Sequence, residues 1–207
     1  MSSEAPNMSK ASLESLKAGG KPGVRPVIQT FRAFLEYMRE DYEANNRGFW
    51  EPGFQTLAAY RMATWCNGIG NRILRIPVRV LSRLLLLFCR NFYGIELHGD
   101  THIGRRLRIA HQNGIVIHPK AVIGDDCIIR HGVTIGAVGK GGGRGNWAPK
   151  LGDRVEVGVG AVLTGRITVG DDSSIGPNAV VMTNVPAGSI VAAPPARIMT
   201  PPPRKDA

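Results

Sequence analysis

The sequence is poor in the features that mark secreted, membrane-spanning and nucleic-acid-binding chains. Cysteine occurs three times in 207 residues. Cys66, Cys89 and Cys127 are odd in number and far apart, which excludes a disulfide frame and indicates a reducing compartment. No apolar run approaches the roughly 20 residues of a membrane span, and the uninterrupted stretch from Leu84 to Phe88 is much shorter. The N-terminal stretch lacks the apolar core of a signal peptide, so a cytoplasmic location is expected, with the inner face of the membrane as an alternative. Aromatic residues are only 6% of the chain. Neither a stacking platform nor a recognised motif accompanies the basic charge, so nucleic acid is not an expected partner. Carboxylates are scarce too: 16 Asp and Glu stand against 26 Lys and Arg, a net charge of +10. That balance favours an anionic partner such as a membrane surface or a phosphorylated cofactor.

What the sequence has instead is a period of six. An aliphatic residue recurs at Leu97, Ile103 and Ile109, again at Ile117, Ile123, Ile129 and Ile135, and again at Leu151, Val157, Leu163, Val169, Ile175 and Val181. Glycine follows at 104, 124, 136, 152, 158, 170 and 176. Six fits neither the helical period near 3.6 nor the strand period of 2. It fits a solenoid in which each unit forms one short strand and a turn, and three units complete a triangular coil. The recurring aliphatic then points inward and stacks on its equivalent one coil away. Strands of an ordinary sandwich do not hold such a phase.

The phase breaks twice. Ile109 to Ile117 is a step of eight, and the two extra residues bulge at His111. Ile135 to Leu151 is a step of sixteen, so about ten residues around Lys140 and Trp147 leave the solenoid as a loop spanning 137–150. Insertions into a repeat map to loops, often on a working face.

The organisation that follows is a disordered basic tail at 1–25, a helical region at 26–92, a solenoid at 93–199 and a Pro-rich tail at 200–207. In the helical region, Phe31, Phe34, Leu35 and Met38 recur at helical spacing, a second helix is expected from about Phe54 to Cys66, and a third from Gly70 to about Phe92 with Pro77 inside it. The third carries Arg72, Arg75, Arg79, Arg83 and Arg90 near one face and leucines on the other. It either packs its apolar side against the solenoid and neighbouring subunits, leaving the arginines at the surface, or attaches peripherally to an anionic membrane.

All five histidines fall in the first coils, and counting units puts His98 below His118 and His111 below His131. Stacked imidazoles raise a metal hypothesis, but a polar side between coils explains them more simply; no metal is expected. His111 is different because it sits in the phase break, where it faces a groove. There an imidazole accepts the proton of an attacking hydroxyl, and Glu96 is the candidate carboxylate to orient it.

Together, Tyr93-Gly-Ile-Glu-Leu-His98, Ile109-Ala-His111, Gly114-Ile-Val-Ile117, Val122-Ile-Gly-Asp-Asp126, Gly132-Val-Thr-Ile-Gly136, Pro195-Ala-Arg-Ile198 and the upstream Ala58-Ala-Tyr-Arg61 resemble the serine O-acetyltransferase family of hexapeptide acyltransferases. The resemblance covers about Asp41 to Met199. It implies a left-handed parallel β-helix preceded by helices, assembly as a homotrimer or dimer of trimers with sites between subunits, and acetyl-CoA as donor. By position His111 matches the catalytic histidine and Glu96 its acidic partner. Gly136 and Lys140 match the region flanking the CoA groove, and Val159 and Pro177 match positions whose backbone meets the pantetheine arm. None of the three cysteines matches a nucleophile, so direct attack without an acyl-enzyme is expected.

The sequence departs from the family where an amino acid would bind. Ala110 stands where an acidic residue usually precedes the histidine, and Trp147-Ala148 replaces an Arg-His pair ahead of Pro149-Lys150. A zwitterion needs a cation and an anion, and both are missing. Trp147 offers instead a plane for a sugar ring, and Ile129-Arg-His-Gly-Val-Thr-Ile-Gly136 resembles the colanic-acid-type acetyltransferases of exopolysaccharide biosynthesis. The expected acceptor is therefore a sugar hydroxyl, with serine as the alternative. A zinc hydro-lyase and a non-catalytic scaffold on the same solenoid are the readings from other classes.

Overall fold

The computed structural model describes residues 27–137 and 147–199. The expectations of a disordered tail at 1–25 and a Pro-rich tail at 200–207, and the position of Lys140, lie outside the described residues.

Among the described residues three helices come first: α1 (Phe31–Ala44), α2 (Pro52–Gly68) and α3 (Arg72–Phe88). Thr30 caps α1 by accepting the Ala33 N–H at 3.1 Å, and Pro52 opens α2, where its missing donor costs nothing. Asn71 caps α3 through the Ile73 N–H at 2.9 Å. Pro77 sits inside α3 without dividing it, and the chain leaves through a π turn, Cys89–Tyr93, that ends on Gly94.

Fourteen short strands among the described residues then wind into three parallel sheets. One face stacks β1 (Ile95–Glu96), β4 (Ile115–Ile117), β7 (Thr134–Gly136), β10 (Val162–Thr164) and β13 (Val180–Val181). The second stacks β2 (His102–Ile103), β5 (Val122–Ile123), β8 (Lys150–Leu151) and β11 (Thr168–Val169). The third stacks β3 (Arg108–Ala110), β6 (Ile128–Arg130), β9 (Glu156–Val157), β12 (Ser174–Ile175) and β14 (Ile190–Val191). From β1 to β10 each strand pairs with the one three places on; at the top β12 pairs with β14, and β11 meets only a single bridge, Val169 to Val185. This is the parallel β-helix, of the left-handed hexapeptide kind, that the period of six demands.

None of the thirteen recurring aliphatics is more than 8% exposed. A second inward column lies two residues earlier in each unit, including Leu107, Ala121, Cys127, Val133, Val155 and Ala161, all fully buried, because alternate residues of a strand share a face. Glycine at the corners is a packing requirement: a Cβ on Gly124 would meet the Gly152 carbonyl oxygen at 2.4 Å and its carbon at 2.5 Å.

The helices close the open lower edge of the solenoid. The Tyr60 hydroxyl donates to the Thr101 carbonyl at 2.7 Å and accepts the Ile103 N–H at 3.2 Å. Arg61 donates to the carbonyls of Ile103 and Gly104 and to a buried Asp41, 2.7 Å away. The Asn45 amide donates to Leu107 and accepts from the Ile109 N–H. Side chains thus supply the ladder bonds that another coil would have made.

Within its own chain α3 does not bury most of its leucines against the solenoid, contrary to one part of the expectation. Its Arg75, Val78, Ser82, Leu86 and Cys89 side faces inward, whereas Ile73, Val80, Leu81, Leu84, Leu87 and Phe88 are exposed. The Cys66 thiol against the Arg75 carbonyl, 3.3 Å away, and the Cys89 thiol bonded to Thr56 fix that orientation on α2. Among the described residues no helix is long and apolar enough to cross a membrane.

Candidate active site

His111 follows the last residue of β3, at the corner where the chain turns toward β4. The eight-residue step is absorbed there by left-handed backbone at His111 (φ 66°), Asn113 (φ 89°) and Gly114 (φ 68°). Such a conformation is costly for a residue with a Cβ and collects where structure over-determines it. The imidazole is exposed and meets His131 edge to face, with ring centroids 5.9 Å apart.

The register sets what lies above it. Ala110 pairs with Arg130, Ile129 with Val157 and Val157 with Ile175. His111, His131, Val159 and Pro177 therefore form one column up a single edge of the prism. The Asn178 N–H donates to the Val159 carbonyl at 2.8 Å, which keeps the column in step. His131 did not stand out in the sequence as a site residue, although unit counting had placed it over His111.

Gly136 ends β7, across the first sheet from that edge. A Cβ there would meet only Thr134 Cγ2 at 3.6 Å and Thr164 Oγ1 at 4.0 Å, so packing does not demand glycine as it does at Gly124. What the residue leaves is a strip of bare backbone. Trp147 lies at the adjacent edge, 39% exposed, with the Arg166 guanidinium 4.3 Å over its ring. Arg166 covers one face of the indole and carries a cation that the sequence reading missed. Register would have found it: Lys150 pairs with Thr168, so eighteen residues, or three units, lead from Ala148 to Arg166.

The two edges are separated by a sheet face of roughly 20 Å, at six residues of about 3.3 Å each. One chain therefore does not bring Trp147 to His111.

Glu96 hydrogen-bonds His98 Nε2 at 3.2 Å, and that imidazole, not His111, is its partner in this chain. Both line a cavity of about 350 Å3 between α3 and the first coil, with Arg79, Arg83 and Arg90 on the opposite wall. One coil above His98, burial lowers the pKa of His118, helped by the nearby His98 and Lys120. Its Nδ1 accepts the Lys120 N–H at 3.1 Å, as a neutral ring does.

Cys127 is an inward core residue whose pKa burial pushes up to about 12, and its thiol donates to the Gly152 carbonyl at 3.2 Å. It is inert as a nucleophile. Among the described residues no three His, Cys, Asp or Glu side chains are placed to hold a metal ion.

A triangular parallel β-helix with an imidazole set in a phase break and stacked over by further coils is consistent with a hexapeptide-repeat acyltransferase. No protein-family model matches the sequence, but individual relatives do. The chain is 42% identical over 168 residues to a serine acetyltransferase of Helicobacter pylori, covering 79% of this chain and 92% of that one. It is 38% identical over 151 residues to a serine acetyltransferase of Mycobacterium tuberculosis, covering 73% and 62%. Among solved structures it is similar to a serine acetyltransferase of Brucella abortus in complex with coenzyme A, at TM-score 0.66 and 27% identity over 82% of this chain and 68% of that one. It is similar also to isoform 3 of Entamoeba histolytica in complex with cysteine, at TM-score 0.65 and 27% identity over 83% and 63%. The chain belongs to the serine acetyltransferase family, and it is an acyltransferase.

Proposed function

We propose that this protein transfers the acetyl group of acetyl-CoA to the hydroxyl of serine. The observation that carries the reading is the match at 42% identity across nearly the whole of a serine acetyltransferase. Acetyl-CoA is the donor. The sugar acceptor expected from Ala110, Trp147 and Ala148 gives way to serine, because the similar proteins are serine acetyltransferases.

In the proposed mechanism His111 accepts the hydroxyl proton while the oxygen attacks the thioester carbonyl. A backbone N–H supports the tetrahedral oxyanion. Collapse expels the CoA thiolate, which takes the proton back from the imidazolium. Val159 and Pro177 from one copy and the bare backbone at Gly136 from its neighbour flank the donor, and Lys140 is the cation that the family resemblance assigns to the loop flanking the CoA groove. Glu96 is the acid that the family resemblance assigns to His111; to act there it must leave His98.

The split between the two edges gives the reading an assembly requirement. A homotrimer sets the His111 edge of one copy against the Trp147 edge of the next, so each site draws on two chains. The missing cation for the serine carboxylate is supplied by Arg166, held in place by Trp147. Arg166→Gln then raises the KM for serine about tenfold or more while leaving kcat nearly intact, as loss of a uniform binding contact does.

A second reading, acetylation of a sugar hydroxyl, is favoured by one specific observation, the absence of charge at Ala110 and Ala148. Mass spectrometry of the product from acetyl-CoA and L-serine tests the first reading. O-acetylserine supports it, and acetylated sugar with unreacted serine overturns it.

A further inference from the structure

Apart from Phe88, whose ring meets those of Phe92 and Tyr93, and Leu87 at the cavity beside the first coil, the apolar side of α3 is left open within the described chain. On a helical wheel the arc turned away from α2 carries Ile73, Val80, Leu81, Leu84, Leu87 and Phe88, with Ile73 84% and Leu84 58% exposed. The solenoid edge does not need this face, because Tyr60, Arg61 and Asn45 already close it. Arg72, Arg83 and Arg90 are exposed along one border of the arc. From Pro52 to Ile95 the sequence has six arginines and no Asp or Glu.

We propose that α3 docks the protein onto an anionic lipid bilayer surface. A helix of 17 residues is about 25 Å long, and lying in the plane of the interface it seats its leucines at the acyl boundary. The bordering arginines then meet lipid phosphates, which a guanidinium grips with paired N–H groups. Charge decides between this occupant and a second copy of the chain. Two such faces would cover each other's leucines but set the two rows of arginines together with no carboxylate on either helix, whereas anionic lipid satisfies both parts at once.

The test floats the purified full-length protein with vesicles of phosphatidylcholine, alone or mixed with phosphatidylglycerol. The expected result is flotation with the mixed vesicles, at least about tenfold stronger than with neutral ones and reversed by high salt. The double variant Val80→Glu/Leu84→Glu alters only the exposed arc; it loses flotation and keeps the parent's thermal unfolding and acetyl transfer. Failure of the parent to float with mixed vesicles overturns the proposal. So does a variant whose assembly shrinks in light scattering while the parent shows no lipid binding, which assigns the face to a second copy. The flotation readout is independent of catalysis, so an error about the acceptor leaves it standing.

Discussion

Replacing Arg61 by leucine should cost stability by an amount that depends on pH in a calculable way. In the parent, Arg61 is 2% exposed and its guanidinium meets Asp41, which is fully buried. Burial already holds the Asp41 carboxyl above its usual range, against the opposing pull of Arg61. Arg61→Leu leaves that carboxylate in the core with no opposite charge, and its way out is to take up a proton. Protonating a carboxyl with an ordinary pKa of 3.8 costs about 4 kcal/mol at pH 7 and about 1.6 kcal/mol at pH 5, at 1.36 kcal/mol per unit. The orphaned carbonyls of Ile103 and Gly104 add about 1 to 3 kcal/mol at either pH. The sign follows from proton uptake: the variant's folded state binds a proton that its unfolded state has lost, so its deficit shrinks as the pH falls toward the unfolded pKa. Urea unfolding followed by circular dichroism at both pH values, with the parent's own pH response subtracted, measures this. Adding Asp41→Asn should remove the pH dependence and keep the carbonyl deficit. A total loss below about 1 kcal/mol, or a loss equal at the two pH values, would refute the account of how the helices close the solenoid.

Three further outcomes follow from the same geometry. His111→Ala should lower kcat by about a hundredfold to ten-thousandfold with unfolding unchanged, read by thiol release; full activity would remove His111 from the chemistry. Gly124→Ala should destabilise by about 1 to 3 kcal/mol through overpacking against the coil above, visible as a lower urea midpoint. His118 has a folded pKa depressed below 6.5, chiefly by burial, so the unfolded chain binds more protons and stability falls as the pH drops below about 6.5. His118→Gln should flatten melting temperature against pH between about 7 and 5, and an unaltered slope would assign the acid sensitivity elsewhere.

The period of six made the solenoid legible because each unit repeats the same inward choice, and the break at Ile109 to Ile117 marked His111 before any coordinates did. Register also fixed the stacking of His111 under His131. The roles of Tyr60 and Arg61 were not legible, since nothing in a helical stretch says that its polar side chains replace a missing strand. The side of α3 that meets its own chain was not legible for a related reason: amphipathic spacing shows which side is apolar, not which side finds a neighbour. Arg166 was hidden because a single arginine at a corner acquires meaning only beside Trp147. The sugar acceptor was argued from three absent charges, whereas the similar proteins are serine acetyltransferases; binding groups need not come from the same sequence positions or from the same chain.

The most direct test of the central claim is thiol release from acetyl-CoA by the purified protein with L-serine, set beside a panel of nucleotide sugars and exopolysaccharide fragments. Turnover with serine on the order of 10 per second, and little with any glycan, is the predicted result. Turnover with a glycan and none with serine would contradict the proposal and leave the β-helix as the frame of a different acceptor site.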